Sequence, residues 1–187
     1  MRKVFTLLWL LFPVGVLYYH FNQGQVQVAR EKAHVHVVAI RELEKAKEPD
    51  WELIVEEYDK LTAELPAEER PLVRHQIRLA KAKARLQMLD VAGSITDLTT
   101  LLQECAQTHG DDAKITRAVR EMLGKAHYYA TYLLKTNGAA EEEWRPFAER
   151  TRQIFRYLAE HQDAAALAQY ERRVEAEFEK VMSRNTP

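Results

Sequence analysis

The sequence predicts an all-α protein, with about seven helices following an amino-terminal transmembrane helix. Three observations lead there. Apolar residues recur at three- and four-residue spacing almost without interruption, alternation at period two is nowhere sustained, and only six Gly and six Pro break up 187 residues. With 187 residues, about 165 of them beyond the first apolar run, one compact domain with a real core is expected.

The first element is the run from Val4 to Phe21, which contains no formally charged side chain and follows Arg2 and Lys3. As a helix it rises about 27 Å, close to the ~30 Å hydrocarbon core of a bilayer. A signal-peptidase site would need small residues in an Ala-x-Ala-like pattern, whereas the chain continues Tyr18-Tyr19-His20-Phe21-Asn22-Gln23. Cleavage is therefore disfavoured, and Tyr18, Tyr19 and Phe21 suit an interfacial aromatic belt. Arg2 and Lys3 favour an amino terminus in the cytoplasm, with Arg30 and Lys32 weakening the bias. The helical domain is then expected outside the cytoplasm, which in a bacterium with an inner membrane means the periplasm.

The next helix, about Gln25 to Ala46, aligns Ala29, Ala33, Val37, Ile40 and Leu43, and Glu48-Pro49-Asp50 ends it. Asp50 is a candidate N-cap for a second helix in which Trp51, Ile54, Tyr58 and Leu61 share a face, closed by Leu65-Pro66. The third spans about Ala67 to Leu89 through Val73, Ile77, Ala80, Ala84 and Met88, with a turn from Asp90 to Ser94. Ile95, Leu98, Leu102 and Cys105 line a fourth. After Thr108-His109-Gly110-Asp111 a fifth runs to about Lys135 with Ile115, Ala118, Val119, Met122, Ala126, Tyr129, Ala130 and Leu133. Asn137-Gly138 stops it, Gly suiting the left-handed position past a helix end. The sixth presents Trp144, Phe147, Ala148, Thr151, Phe155 and Leu158, with Pro146 placed in its first turn, where proline is tolerated. A seventh, from about Asp163, shows Leu167, Tyr170, Val174, Phe178 and Val181.

The expected organisation is thus a transmembrane signal anchor over 1–24 and a helical domain over 25–187. Within the domain, helix pairs fall at about 25–66, 67–108 and 112–160, with a capping helix at about 163–182.

The stretch Asp50-Trp51-Glu52 through Tyr58-Asp59-Lys60 to Pro66 resembles the second helix of a tetratricopeptide repeat (TPR). Leu123-Gly124-Lys125-Ala126-His127-Tyr128 resembles the first helix of such a repeat, Gly124 supplying the small residue where two helices approach closely. Arg78-Leu79-Ala80-Lys81-Ala82 with Ser94 and Leu98 is a fainter copy, and the resemblance covers about residues 26–160. It departs from the family in its spacing: Asp50 to Asp90 is 40 residues, against a repeat of about 34. The 126–160 region is also similar to small membrane-anchored bacterial proteins of this helical type. The TPR resemblance implies antiparallel hairpins in a right-handed array, whose concave surface binds a peptide or protein segment. The first helices of the pairs form the inner surface in such arrays, which singles out Arg78, Arg85, Arg120, His127 and Tyr128 as candidates for a partner-binding groove.

Charge and motifs narrow the function classes. Beyond the anchor 25 basic side chains face 28 acidic ones, a net charge of -3, which is no nucleic-acid footprint. Cys105 is the single cysteine, so no intrachain disulfide forms; it reads as a small buried residue on a helix. His34 and His36, two apart, point about 200° apart on a helix and cannot share an ion, and no His-x-x-x-His or Cys-x-x-Cys occurs. The acidic triplet Glu141-Glu142-Glu143 is accounted for by the dipole at a helix start. The basic run Arg70, Arg74, Arg78, Lys81, Lys83 and Arg85 reads as a solvated helix face, or else as a patch for lipid headgroups or an acidic segment. There is no phosphate loop and no Gly-x-Ser-x-Gly.

Neither a catalytic set, a metal nor a cofactor is expected. The reading is a membrane-tethered, non-enzymatic adaptor or scaffold with a protein or peptide partner. The alternative is a cleaved, soluble periplasmic helical protein that binds a small ligand or peptide.

Overall fold

The computed structural model describes residues 24–161 and, further on, positions 172, 174–176, 178–180, 182 and 183. The anchor expected over residues 4–21 and the start of the seventh helix lie outside them. The described residues form no strand. Six helices follow in order: α1 (Gln25–Lys45), α2 (Trp51–Glu64), α3 (Pro71–Gln87), α4 (Val91–His109), α5 (Lys114–Thr136) and α6 (Glu141–His161). The described positions from 172 to 183 are helical as well, and no described helix is long and apolar enough to cross a membrane.

The chain divides into two compact units. One gathers the described residues up to Pro49 with Glu56–Arg70; the other gathers Asp50–Val55 with the described residues from Pro71 onward. In the first, α1 runs antiparallel to α2, as three polar pairs in reverse order require: Arg30 with Glu69 at 3.4 Å, Lys32 with Glu64 at 3.8 Å, and His36 Nδ1 with Glu57 at 2.7 Å. Hydrogen bonds from Lys60 and His36 hold the Glu57 carboxyl below the usual carboxylate range. Burial, reinforced by Glu44, pushes the Tyr58 hydroxyl up to about 12.

In the second unit α3 and α4 form an antiparallel hairpin. His75 near the start of α3 meets His109 at the end of α4, and Arg85 near the end of α3 bonds Asp97 near the start of α4. Between them the buried Ser94 hydroxyl donates across the hairpin to the Ala82 carbonyl at 3.0 Å. This bond satisfies a polar group where α3 and α4 leave no room for water. The helices α5 and α6 form a second hairpin with the same logic. Lys135 at the end of α5 sits over the Trp144 ring at the start of α6, 3.8 Å from its centroid, and Arg120 lies over Tyr157 at 4.2 Å. The core joins α3, α4 and α5 through Ala82, Leu86, Leu98, Leu101, Cys105, Val119, Ala126 and Tyr129, with Val174 and Phe178 buried beside them and Phe147 and Ile154 of α6 packed against it.

Gly124 explains how closely α5 and α6 approach. A Cβ built there would lie 3.0 Å from Ile154 Cγ2 and 3.1 Å from Phe155 Cε1, so any side chain at this position displaces α6 atoms. The small residue expected for a close helix crossing is therefore where it was expected.

Helix ends follow their sequence signals at several points. Asp50 caps α2, its Oδ1 accepting from the Leu53 N–H at 3.0 Å. Gly138 adopts φ +76°, the left-handed geometry past α5. Four expectations are corrected. The third helix begins at Pro71 rather than Ala67, because residues 67–70 form a turn closed by the Glu69 N–H on the Pro66 carbonyl, and Pro71 occupies the first helical position. Residues 91–94 are helix, not turn: α3 stops at Gln87, Leu89 takes φ +61°, the Asp90 N–H bonds the Arg85 carbonyl, and the Asp90 side chain caps α4 through the Gly93 N–H. That early stop leaves Met88 exposed; of the expected stripe Ala84 is buried, and His75, Ala82 and Leu86 complete the buried face of α3. Finally, α6 starts at Glu141, so Pro146 is its sixth residue and lies beyond the first turn. The acidic first turn and the Glu143 carboxylate, which accepts from the Ala140 N–H at 3.1 Å, secure that helix start instead.

Candidate functional site

The second unit contains a cavity of about 480 Å³ between α5, α6 and the helical positions near 174. Tyr128 comes from α5; Thr151, Arg152, Phe155, Arg156 and Ala159 come from α6; Val174 and Glu175 complete the wall. Spacing along α6 accounts for its share. Residues 151, 155 and 159 recur every four and stand on one face, while 152 and 156 are the adjoining row. The result is an aromatic and aliphatic lining of Tyr128, Phe155, Ala159 and Val174, with two arginines contributed by α6 and one glutamate by the helical positions near 174.

The part of the wall outside α6 is held by an aromatic cluster. Phe178 packs edge-on against Tyr129 at 4.4 Å, Tyr132 at 4.6 Å and Tyr128 at 6.0 Å between ring centroids. Rings meeting this way add attraction beyond the area they bury. They fasten Phe178 to α5 and thereby place the described helical positions 174–176, with Val174 and Glu175, at the cavity. Burial raises the Tyr128 hydroxyl above the usual phenol range, with the Glu175 carboxylate as the next cause. Tyr128 is accordingly a neutral hydroxyl at any physiological pH.

Of the five residues singled out for a groove, Tyr128 alone lines this cavity. Arg78 is bound to Glu104, and Arg85 bonds Asp97 at 2.9 Å with Asp90 3.6 Å away. Arg120 bonds Asp111 at 2.9 Å while stacking on Tyr157. His127 is half-buried beside Phe147, with ring centroids 5.9 Å apart, and its Nδ1 is buried without a hydrogen-bond partner. Burial, aided by Arg150, holds that imidazole below the usual histidine range. The structure thus does not bring the five together as one surface. Three of the arginines are held by acidic partners on the neighbouring helix or the preceding loop.

Among the described residues, Arg152 and Arg156, which the sequence reading did not single out, are the cationic groups that line the cavity. A signal for them exists: they are four residues apart and adjoin the apolar row Thr151, Phe155, so they rim whatever that row lines.

Other chemistry is limited among the described residues. No group of three His, Cys, Asp or Glu side chains is arranged to hold a metal ion. Cys105 is fully buried on α4, and burial raises its thiol above the usual range, which suppresses the thiolate a nucleophile needs. His75 contacts His109 and Glu104 at the open end of the α3–α4 hairpin, and none of the three lines the cavity.

The class defined here is an all-helical protein of packed hairpins with an open, cation-rimmed apolar cavity. Comparison with known protein families, with characterised proteins and with solved structures finds no match to this chain.

Proposed function

We propose that this protein is a membrane-tethered, non-enzymatic adaptor whose helical hairpins, arranged in a divergent TPR-like manner, hold a protein segment outside the cytoplasm. The observation that carries the reading is the open cavity between α5 and α6, which combines an apolar aromatic lining with charged side chains and lies within the range of about 300–1,000 Å³ usual for binding sites. Such a surface recognises and orients a ligand. The tether in this reading is the uncharged run from Val4 to Phe21 behind Arg2 and Lys3.

The test combines location with contact. The full chain, extracted from membranes, is weighed by mass spectrometry, and a photoreactive amino acid replaces Ala159 in the cavity wall. The expected result is an intact amino terminus, recovery in the membrane fraction, and a discrete crosslinked species that a bulky Ala159→Trp substitution abolishes when the photoreactive group is moved to the rim position Thr151. Recovery in the soluble fraction with a new amino terminus near Gln23 to Arg30 would replace the tether with the cleaved form. The cavity size also suits a small ligand, which is the reading to adopt if only low-mass adducts form.

A further inference from the structure

The two cavity arginines differ from a neighbour on the same helix. Arg145 is held between Glu141 at 3.5 Å and Glu149 at 3.1 Å. Arg152 and Arg156 take part in no hydrogen bond or ion pair among the described residues, although Glu149 and Glu160 stand three and four positions from them on α6. Two like charges at four-residue spacing repel, and a carboxylate between them relieves that repulsion while gaining charge-assisted hydrogen bonds. Glu175, which another helical stretch contributes to the lining, carries the opposite sign. An acidic group is therefore attracted to the α6 arginines and repelled from Glu175, so a ligand has one favoured direction. The same Glu175 carboxylate can accept from amide N–H groups, which a peptide has and an acyl chain lacks.

We propose that the α5–α6 cavity is a docking site for an acidic peptide segment of a protein partner, with a carboxylate held by Arg152 and Arg156 and the adjacent apolar side chain against Tyr128 and Phe155. The inference rests on the adaptor reading above and names the chemistry of the partner. Recognition of acidic motifs by paired arginines is a recurring mode, the planar guanidinium matching a carboxylate in two hydrogen bonds.

The test uses the purified full chain in detergent micelles and fluorescence anisotropy with two labelled decapeptide libraries. In one, Asp and Glu alternate with Leu and Phe; in the other, Asn and Gln replace the acids. The expected result is that the acidic library binds at least about tenfold more tightly and that the double variant Arg152→Gln, Arg156→Gln loses the difference. Arg145→Gln, which removes one positive charge from the same helix outside the cavity, leaves binding unchanged. Circular dichroism of each variant verifies that the helices persist. Equal loss in Arg145→Gln, or equal affinity of the two libraries with the double variant unaffected, overturns the acidic preference and leaves peptide docking standing. Absence of binding by both libraries overturns docking as well. Displacement of the acidic library by dodecanoate at comparable concentration assigns the cavity to an amphipathic carboxylate and overturns the peptide proposal.

Discussion

His75 and His109 share a hydrogen bond across the α3–α4 hairpin: Nδ1 of His75 lies 3.1 Å from Nε2 of His109, and the rings meet edge-on with centroids 5.2 Å apart. One ring must donate and the other accept, so the contact requires at least one neutral imidazole. Burial holds His75 below the usual histidine range, with His109 as the second cause; Glu104, 3.7 Å away, opposes the shift, and Arg78 adds to it.

A pH dependence follows. The native state binds its proton on His75 at lower pH than the unfolded chain does, so no penalty exists above about pH 6.5, and stability declines as the pH falls below that value until the native imidazole also titrates. His127, lowered mainly by burial, adds a decline of the same sign. Urea unfolding followed by circular dichroism should give a constant midpoint at neutral pH and a falling one in mild acid. His109→Gln should flatten the fall by removing the second charge while keeping hydrogen-bonding capacity. An unchanged acid slope in that variant would show that the pair is not responsible.

At Gly124 two effects oppose each other. Alanine gains about 1 kcal/mol of helix propensity over glycine, but its methyl meets Ile154 and Phe155 at 3.0–3.3 Å. Gly124→Ala is expected to change stability by less than about 1 kcal/mol. Gly124→Val adds two further carbons to the same contact and should destabilise by about 1–3 kcal/mol. Denaturant midpoints for the pair of variants check the ordering; a valine variant as stable as glycine would mean that α6 yields freely.

The α4 start depends on Asp90, whose Oδ1 accepts from the Gly93 N–H at 3.0 Å. Asp90→Ala should cost about 0.5–2 kcal/mol, whereas Asp90→Asn or Asp90→Ser retains a capping oxygen and most of the stability. Comparing the three by thermal unfolding separates the cap from the ion pair with Arg85, 3.6 Å from the same side chain, because Asn and Ser remove the charge and keep the cap.

The buried thiol offers a kinetic probe. Cys105 has no exposed surface and a raised thiol pKa, so a maleimide or disulfide reagent reaches it only when α4 opens. Labelling of the native chain should be slower than in urea by about a hundredfold or more. Since the chain has no other cysteine, mass spectrometry reads one site. Fast native labelling would place Cys105 on a mobile element.

Local periodicity was enough to read the helices. Of the stripe that predicts α5, Ile115, Val119, Ala126, Tyr129 and Ala130 are buried while Ala118, Met122 and Leu133 are only partly so, and Gly138 ends the helix in the expected conformation. The misreadings lie where geometry departs from residue preference. Leu89 occupies a left-handed position that normally calls for glycine, and no sequence rule flags a leucine there. Pro71 was a usable start signal that went unread, since proline favours the first helical position. The site was less legible because its parts are distant in sequence. Arg78, Arg85 and Arg120 read as free cations until Glu104, Asp97 and Asp111 are placed beside them, and those partners are 9 to 26 residues away. Tyr128 is singled out because the repeat resemblance places it on the first helix of a pair, whereas Arg152 and Arg156 stand on a second helix, outside the set that resemblance selects.

Phe155 belongs to two places at once, touching the vacant side of Gly124 with one edge and lining the cavity with its body. The missing methyl group on α5 is therefore a spacer that sets how far that ring stands into the cavity. Each carbon added at position 124 pushes on that ring, so binding capacity should change with the size of a residue that never meets the ligand. A library at this one buried position would act as a calibrated dial on the dimensions of the pocket, and its selectivity profile would map the shape of the natural occupant.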